Sequence, residues 1–247
     1  MDHFFTDPSN IRDKHIIIEG SDVNHIRNVL RLRPGDEISV SNGVDGREYR
    51  CGIVSISDVV ECELRFIKEE SVELPVRVHL FQGLCKGDKM ETVIQKTTEL
   101  GVYEVIPVQM IRSVVKLDDK KAASKVSRYV GVAEAAAKQS KRAVIPQIHP
   151  VCDVNSAIEY AKGFDKIIVP YELSAGESFE DTRKVMGSVK GLKDIAVFIG
   201  PEGGFDDSEI EALKVAGADV ISLGRRILRT ETAGMTVLSW LVYLLED

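Results

Sequence analysis

The sequence has little of what the commoner site chemistries require. Its four cysteines, Cys51, Cys62, Cys85 and Cys152, form no C-x-x-C pair, and a chain of 247 residues can bury a core without disulfide staples. The five histidines are scattered, so a zinc site has no support and no metal is expected. No apolar run approaches the ~20 residues that span a bilayer, and Met1-Asp2-His3-Phe4-Phe5 lacks the basic and apolar regions of an export signal. A reduced, cytoplasmic setting with no membrane partner is therefore expected. Excess basic charge is missing too: 32 Lys and Arg face 39 Asp and Glu, for a formal net charge of -7. Taken as an average, that balance argues against a nucleic-acid partner. What is present, 44% hydrophobic and 29% charged residues, is the composition of an ordinary globular protein with one large domain or two small ones.

The average hides a segregation. Residues 1–74 hold nine basic and 15 acidic side chains, whereas 75–247 hold 23 and 24. Within the acidic third, His25–Arg33 carries Arg27, Arg31 and Arg33 and no acid. The segment Arg112–Arg142 has nine basic residues against three acidic ones, and Arg225, Arg226 and Arg229 fall within five positions. Any one such island is the ordinary solvated face of a helix. Three of them beside glycine loops and turns favour a polyanion, because phosphate contacts need only a local positive surface.

Turn chemistry divides the chain near Pro75. Before it, His15–Ile18, Glu37–Ser41, Tyr49–Ile56 and Val59–Phe66 read as short strands, with Ser21-Asp22 capping a helix through Leu30 and Arg33-Pro34-Gly35-Asp36 forming a turn. Many short strands at close spacing predict a small β-barrel over 1–74, and the acidic stretch Lys68–Glu73 predicts a linker. After Pro75 strands alternate with helices: Val76–Leu84, Val105–Val108, Lys166–Pro170, Ile195–Ile199 and Asp219–Ser222 against Asp88–Leu100, Asp118–Ser140, Asp206–Ala216 and Glu231–Glu246. The alternation predicts an α/β domain over 75–247 with a mostly parallel sheet. The last helix carries Gly234, Val237, Leu238, Leu241, Val242 and Leu245 on one stripe, with Met235, Trp240 and Leu244 outside it. Such a helix is either central to a monomer or shared with a second subunit, and the pattern permits both.

Two segments carry the candidate chemistry. The strand Ile195–Ile199 runs into Gly200-Pro201-Glu202-Gly203-Gly204-Phe205, and Asp219–Ser222 runs into Leu223-Gly224-Arg225-Arg226-Ile227-Leu228-Arg229 before a helix that Thr230 can cap. Neither has P-loop or dinucleotide spacing. Both are Gly-containing loops at strand ends of one sheet, where ligands of α/β proteins bind, although a tight strand-to-helix turn explains the first equally well. Ile227 and Leu228 offer an apolar face to a flat base, or plug the core beneath.

These loops, with Lys86-Gly87-Asp88-Lys89-Met90, Gln95–Gly101 and Glu134–Ser140, resemble the RsmE family, bacterial 16S ribosomal RNA (uracil-N3)-methyltransferases that use S-adenosylmethionine. His25–Arg33 and Pro34-Gly35-Asp36 match that family's N-terminal domain, so the resemblance covers nearly the whole chain. It implies a PUA-like RNA-binding β-barrel followed by a SPOUT α/β domain with a trefoil knot, which acts as a homodimer through its C-terminal helix. Carried over by motif, the cofactor pocket falls on Ile199, Gly200, Leu223, Gly224, Ile227, Leu228 and Thr230, with Pro170 and Tyr171 as a further wall. The chain departs from the family pattern at His3, where an Arg often precedes the paired aromatics, and at Arg225, where Pro is common.

Methylation of uracil N3 requires an unpaired base that loses its N3 proton. Arg229 is the candidate for stabilising the developing anion and Glu202 for accepting the proton, since both sit in the two loops. Their alternatives are a phosphate or partner-subunit contact for Arg229 and a loop or helix cap for Glu202. RNA contacts are assigned to Arg27, Arg31, Arg33, Arg112, Lys116, Lys138 and Arg142. The competing readings are a SPOUT methyltransferase acting on tRNA or another rRNA base, and a non-catalytic RNA-binding module.

Overall fold

A computed structural model describes residues 1–68, 71–171 and 179–246. The chain forms two compact units, Met1–Glu73 with Ala137–Ile145, and Leu74–Ala136 with Pro146–Asp247. Of the expected linker 68–73, Glu69 and Glu70 lie outside the described residues.

The first unit is a curled six-stranded sheet. Its strands are β1 (His3–Phe5), β2 (Ile11–Arg12), β3 (His15–Ile18), β4 (Glu37–Ser41), β5 (Glu48–Ile56) and β6 (Val60–Lys68), in the order β1-β4-β5-β6-β3-β2. All pairings are antiparallel except β1 with β4. Thr6, just beyond β1, donates its hydroxyl to the Ile17 carbonyl in β3, so the sheet curls back on itself. Period-two alternation turns Ile16, Ile18, Tyr49, Cys51, Ile53, Val60 and Cys62 inward. Burial pushes the thiols of Cys51 and Cys62 up to about 12, which keeps them protonated.

The short helix expected after Ser21-Asp22 forms differently. Helix α1 (Ser21–Asn24) starts from Gly20 without a side-chain cap and widens into a π turn, His25–Val29. Asp22 is not a cap because its carboxylate pairs with Lys138 at 3.0 Å. The wide turn drives Ile26 fully into the core and leaves Arg27, Arg31 and Arg33 exposed.

The second unit holds a seven-stranded sheet in which every pairing is parallel. Its strands are β7 (Arg77–Gly83), β8 (Glu104–Gln109), β9 (Gln147–Ile148), β10 (Cys152–Asp153), β11 (Lys166–Pro170), β12 (Asp194–Ile199) and β13 (Asp219–Ile221). They run β10-β8-β7-β12-β11-β13, with β9 also on β8. A parallel sheet covered on both faces needs continuous apolar strands, and β7, β8 and β12 are buried along nearly their whole length. The helices are α2 (Lys89–Glu99), α3 (Asp119–Ser140), α4 (Val154–Ala161), α5 (Phe179–Gly187), α6 (Asp207–Val215) and α7 (Thr230–Leu245). Helices α2, α5 and α7 pack together, and α4 and α6 form a separate pair. Phe81 and Phe198, stacked 4.3 Å apart on neighbouring strands, centre the core that α4 and α6 cover.

Candidate active site

Because all the strands are parallel, the carboxyl ends of β7, β12, β11 and β13 share one edge. Gln82 lies opposite Ile199, and Pro170 opposite Ile221. The two glycine loops leave from this edge, as the switch-point rule requires of a ligand crevice. Tyr171 continues β11, donates its amide to the Ile221 carbonyl at 3.0 Å and its hydroxyl to Asp207 at 3.3 Å. Pro170, Tyr171, Ile199 and Gly200 lie at this edge, and Leu223 and Gly224 follow β13 in the loop that leaves it.

The loop Gly200–Phe205 is built by close packing. A Cβ at Gly83 would lie 2.5 Å from the Pro201 nitrogen, and one at Gly203 would lie 2.9 Å from the Arg112 carbonyl oxygen, so neither strand end nor loop has room for a larger residue. Asp206 then opens α6 with a reciprocal capping box to Glu209, whose other oxygen accepts the Ile111 amide at 2.8 Å. In the second loop Gly224 has a φ of +105°, a region closed to side chains, and nothing approaches within 4 Å of the position its Cβ would take. The space beside Gly224 is open, and Leu223 and Leu228 on either side of it are half-buried. Ile227 is 86% exposed, so it does not plug the core.

Thr230 differs from its expected part. The cap of α7 is Arg229, through its backbone alone; Thr230 is the first helical residue and buried. Its hydroxyl donates to the Gly200 carbonyl at 2.6 Å and accepts from Gln82 Nε2 at 2.9 Å. Gln82 also donates to the Gly83 carbonyl at 3.1 Å, and the Cys85 thiol donates to the same oxygen at 3.1 Å. Sequence reasoning missed Gln82 and Cys85. The only signal was a glutamine following Leu80-Phe81 in Val76–Leu84, a segment in which Arg77 and His79 also break the apolar pattern.

Glu202 accepts the Lys86 amide at 2.9 Å and the Lys89 ammonium at 3.0 Å, both on Oε1. Burial pushes its carboxyl up, but these two donors outweigh burial and hold it below the usual carboxylate range. It is thus ionised at neutral pH. Arg229 is exposed and makes no ion pair among the described residues, and the same holds for Arg225 and Arg226.

The basic residues divide sharply. Arg27, Arg31, Arg33 and Lys116 are exposed. Arg112 pairs with Asp206 at 3.3 Å while its backbone supports Gly203. Lys138 is engaged by Asp22. Arg142 is corrected outright: its side chain is only 4% exposed and its guanidinium is bound to Glu73, which also accepts the Val144 amide. A buried, paired guanidinium cannot reach a phosphate, so Arg142 anchors 137–145 instead. His3 is likewise buried, with Nδ1 2.8 Å from the Ser39 hydroxyl, and burial lowers its affinity for a proton. No group of His, Cys, Asp and Glu that could hold a metal occurs among the described residues.

The family described as RNA methyltransferase domain matches residues 72–242, and that described as RNA methyltransferase PUA domain matches 18–59. The ribosomal RNA small subunit methyltransferase E of Bacillus subtilis is 43% identical over 93% of this chain and 90% of its own length. The chain belongs to the ribosomal RNA small subunit methyltransferase E family. A member from Neisseria gonorrhoeae, solved bound to S-adenosyl methionine, superposes with a TM-score of 0.84 at 27% identity, covering 99% of this chain and 98% of that one. The protein Lpg2936 of Legionella pneumophila, also solved in complex with that cofactor, gives 0.82 at 31% identity over 97% of this chain and 96% of that one.

Proposed function

We propose that this protein methylates N3 of a specific uridine in 16S ribosomal RNA of the small subunit, using S-adenosylmethionine. The observation that carries the proposal is the pair of glycine loops leaving one parallel-sheet edge, in a chain whose structural relatives are solved with that cofactor. Pro170, Tyr171, Ile199, Gly200, Leu223, Gly224, Ile227 and Leu228 would hold the cofactor, and Thr230 would act from beneath. The sulfonium supplies an already activated methyl group.

The protein's own part is alignment and charge. Arg229, without an ion pair among the described residues at the mouth of the second loop, stabilises negative charge developing on the uracil carbonyl oxygens. Glu202, anchored through Oε1, offers Oε2 as acceptor for the N3 proton. Residues 1–74 act as the PUA-like RNA-binding domain and 75–247 as the SPOUT methyltransferase domain with its knotted loops. Arg27, Arg31, Arg33 and Lys116 are the phosphate contacts. The protein works in the cytoplasm as a homodimer joined through α7, where Tyr243 is 84% exposed.

Mass spectrometry of ribosomal RNA from a deletion strain tests the assignment: one methyluridine is lost from 16S RNA and restored by the gene. Loss of a tRNA methylation instead would reassign the substrate, and absence of binding heat with S-adenosylmethionine would leave an RNA-binding module.

A further inference from the structure

Gln82 is the one amide side chain in β7, completely buried and facing no solvent. Its amide nitrogen donates to its own strand end at Gly83 and to Thr230, with the Cys85 sulfur a longer contact at 3.6 Å. The Thr230 hydroxyl has a single proton. Since it accepts from Gln82, that proton goes to the Gly200 carbonyl, 2.6 Å away, in preference to the Cys85 sulfur, a weaker acceptor at 3.8 Å. The chain Gln82 to Thr230 to Gly200 is therefore directional, and it cannot run in reverse because the Gly200 carbonyl only accepts.

The direction matters at Gly200. The next residue, Pro201, has no N–H, so the Gly200–Pro201 peptide has only that carbonyl as a hydrogen-bonding handle. Its other constraint is steric: the Pro201 nitrogen sits 2.5 Å from where a Cβ of residue 83 would be. Three segments thus meet at one hydroxyl: the end of β7, the start of the Gly200 loop, and the first turn of α7, which closes the Leu223–Arg229 loop. Gln82 Oε1 is buried without a partner among the described residues, a cost that a purely structural position would shed by carrying Leu or Met.

We infer that Gln82 is a positioning residue for the methyl transfer, which acts through the Thr230 hydroxyl to set the Gly200 peptide plane and the α7 terminus, and so both cofactor loops, at once. The inference rests on the proposed use of S-adenosylmethionine. It predicts that Gln82 governs cofactor affinity without touching the cofactor, and leaves RNA affinity alone.

The test is a double-mutant cycle with Gln82→Leu and Thr230→Val, read by calorimetry with S-adenosylmethionine and by thermal unfolding of the cofactor-free protein. Each single variant is expected to weaken cofactor binding about tenfold or more, and the double variant no further than the worse single, because either change breaks the same chain. Thr230→Ser, which keeps the hydroxyl, should stay within about threefold of wild type. RNA binding should be unchanged in all. Cofactor affinity unaltered by Gln82→Leu, or losses that multiply in the double variant, would overturn the relay. If Gln82→Leu does not fold, equal affinities for Thr230→Val and Thr230→Ser would overturn it instead, and a loss confined to Val would support it. Absence of heat with the wild-type protein would sink the function itself.

Discussion

At the scale of single residues, charge state and exposure separate side chains that look alike in the sequence. Glu202 and Arg229 sit in two loops of the same edge and both are exposed, but one is tethered to Lys86 and Lys89 and the other makes no ion pair among the described residues. A carboxylate held below its usual range is fully ionised at neutral pH and is a weak base. If it accepts the N3 proton, Glu202→Gln should lower kcat by about 10²-fold or more. The acid limb of the wild-type pH–rate profile should then fall below the ordinary glutamate range, since activity is lost only as pH drops through the lowered value. Wild-type turnover across pH in the variant would remove Glu202 from the chemistry and leave it tying Lys86 and Lys89. The arginines divide the same way. Neutralising Arg27 and Arg31 together should reduce the salt dependence of RNA binding by about one unit of log–log slope for each phosphate that no longer meets an arginine. Arg142→Ala should leave that slope alone and lower the unfolding temperature, because it strands the partly buried Glu73 carboxylate. Composition offered no means of distinguishing Arg142 from Arg31. Both lie in basic islands, and only the packing around Glu73 separates them.

Elements show why some boundaries were legible and others were not. Strands β11 and β12 follow β-branched runs that a buried parallel strand requires, and α6 begins at Asp206 with Glu209 three residues later, a local capping signal. The start of α7 was misread because a threonine before an amphipathic run resembles a cap. Its hydroxyl is drawn instead to a carbonyl 30 residues away. Strands β9 and β10, of two residues each, and the three-residue β1 carry too little periodicity to be seen. The close approach of Gly83 to Pro201 gives this scale its sharpest prediction. Gly83→Ala inserts a methyl where only 2.5 Å is available against backbone, so β7 and the Gly200 loop must separate. Urea unfolding should register a loss of about 1–3 kcal/mol, and calorimetry a matching loss of cofactor heat. A variant with wild-type midpoint and heat would show that the edge tolerates the shift.

For the molecule as a whole, a buried ionic cluster is kept away from the crevice. Near the amino ends of the parallel strands, His79 places Nδ1 2.7 Å from Glu104 and Nε2 2.8 Å from Asp194, while His149 and Tyr160 also bond Glu104. Burial pushes the Glu104 carboxyl up, but the hydrogen bonds from His149 and His79 outweigh it and hold it down at about 2. A depressed carboxyl contributes stability that is fully present above its ordinary value of 4.5 and is lost as pH falls through about 2. The contribution is on the order of 3 kcal/mol. Urea unfolding between those limits should show stability declining with acid, and Glu104→Gln should flatten the decline; an unchanged slope in the variant would refute the assignment. The sequence by itself determined the parallel α/β class, the paired glycine loops and the segregation of charge, because each is written in local periodicity, turn chemistry and composition; that Ala137–Ile145 joins the first unit was not legible there. Only the tertiary structure decided which arginines face solvent, that Glu202 is tethered to Lys89, and that Gln82, Thr230 and Gly200 form one chain. Those are interactions between residues as many as 148 positions apart, and no local preference encodes them.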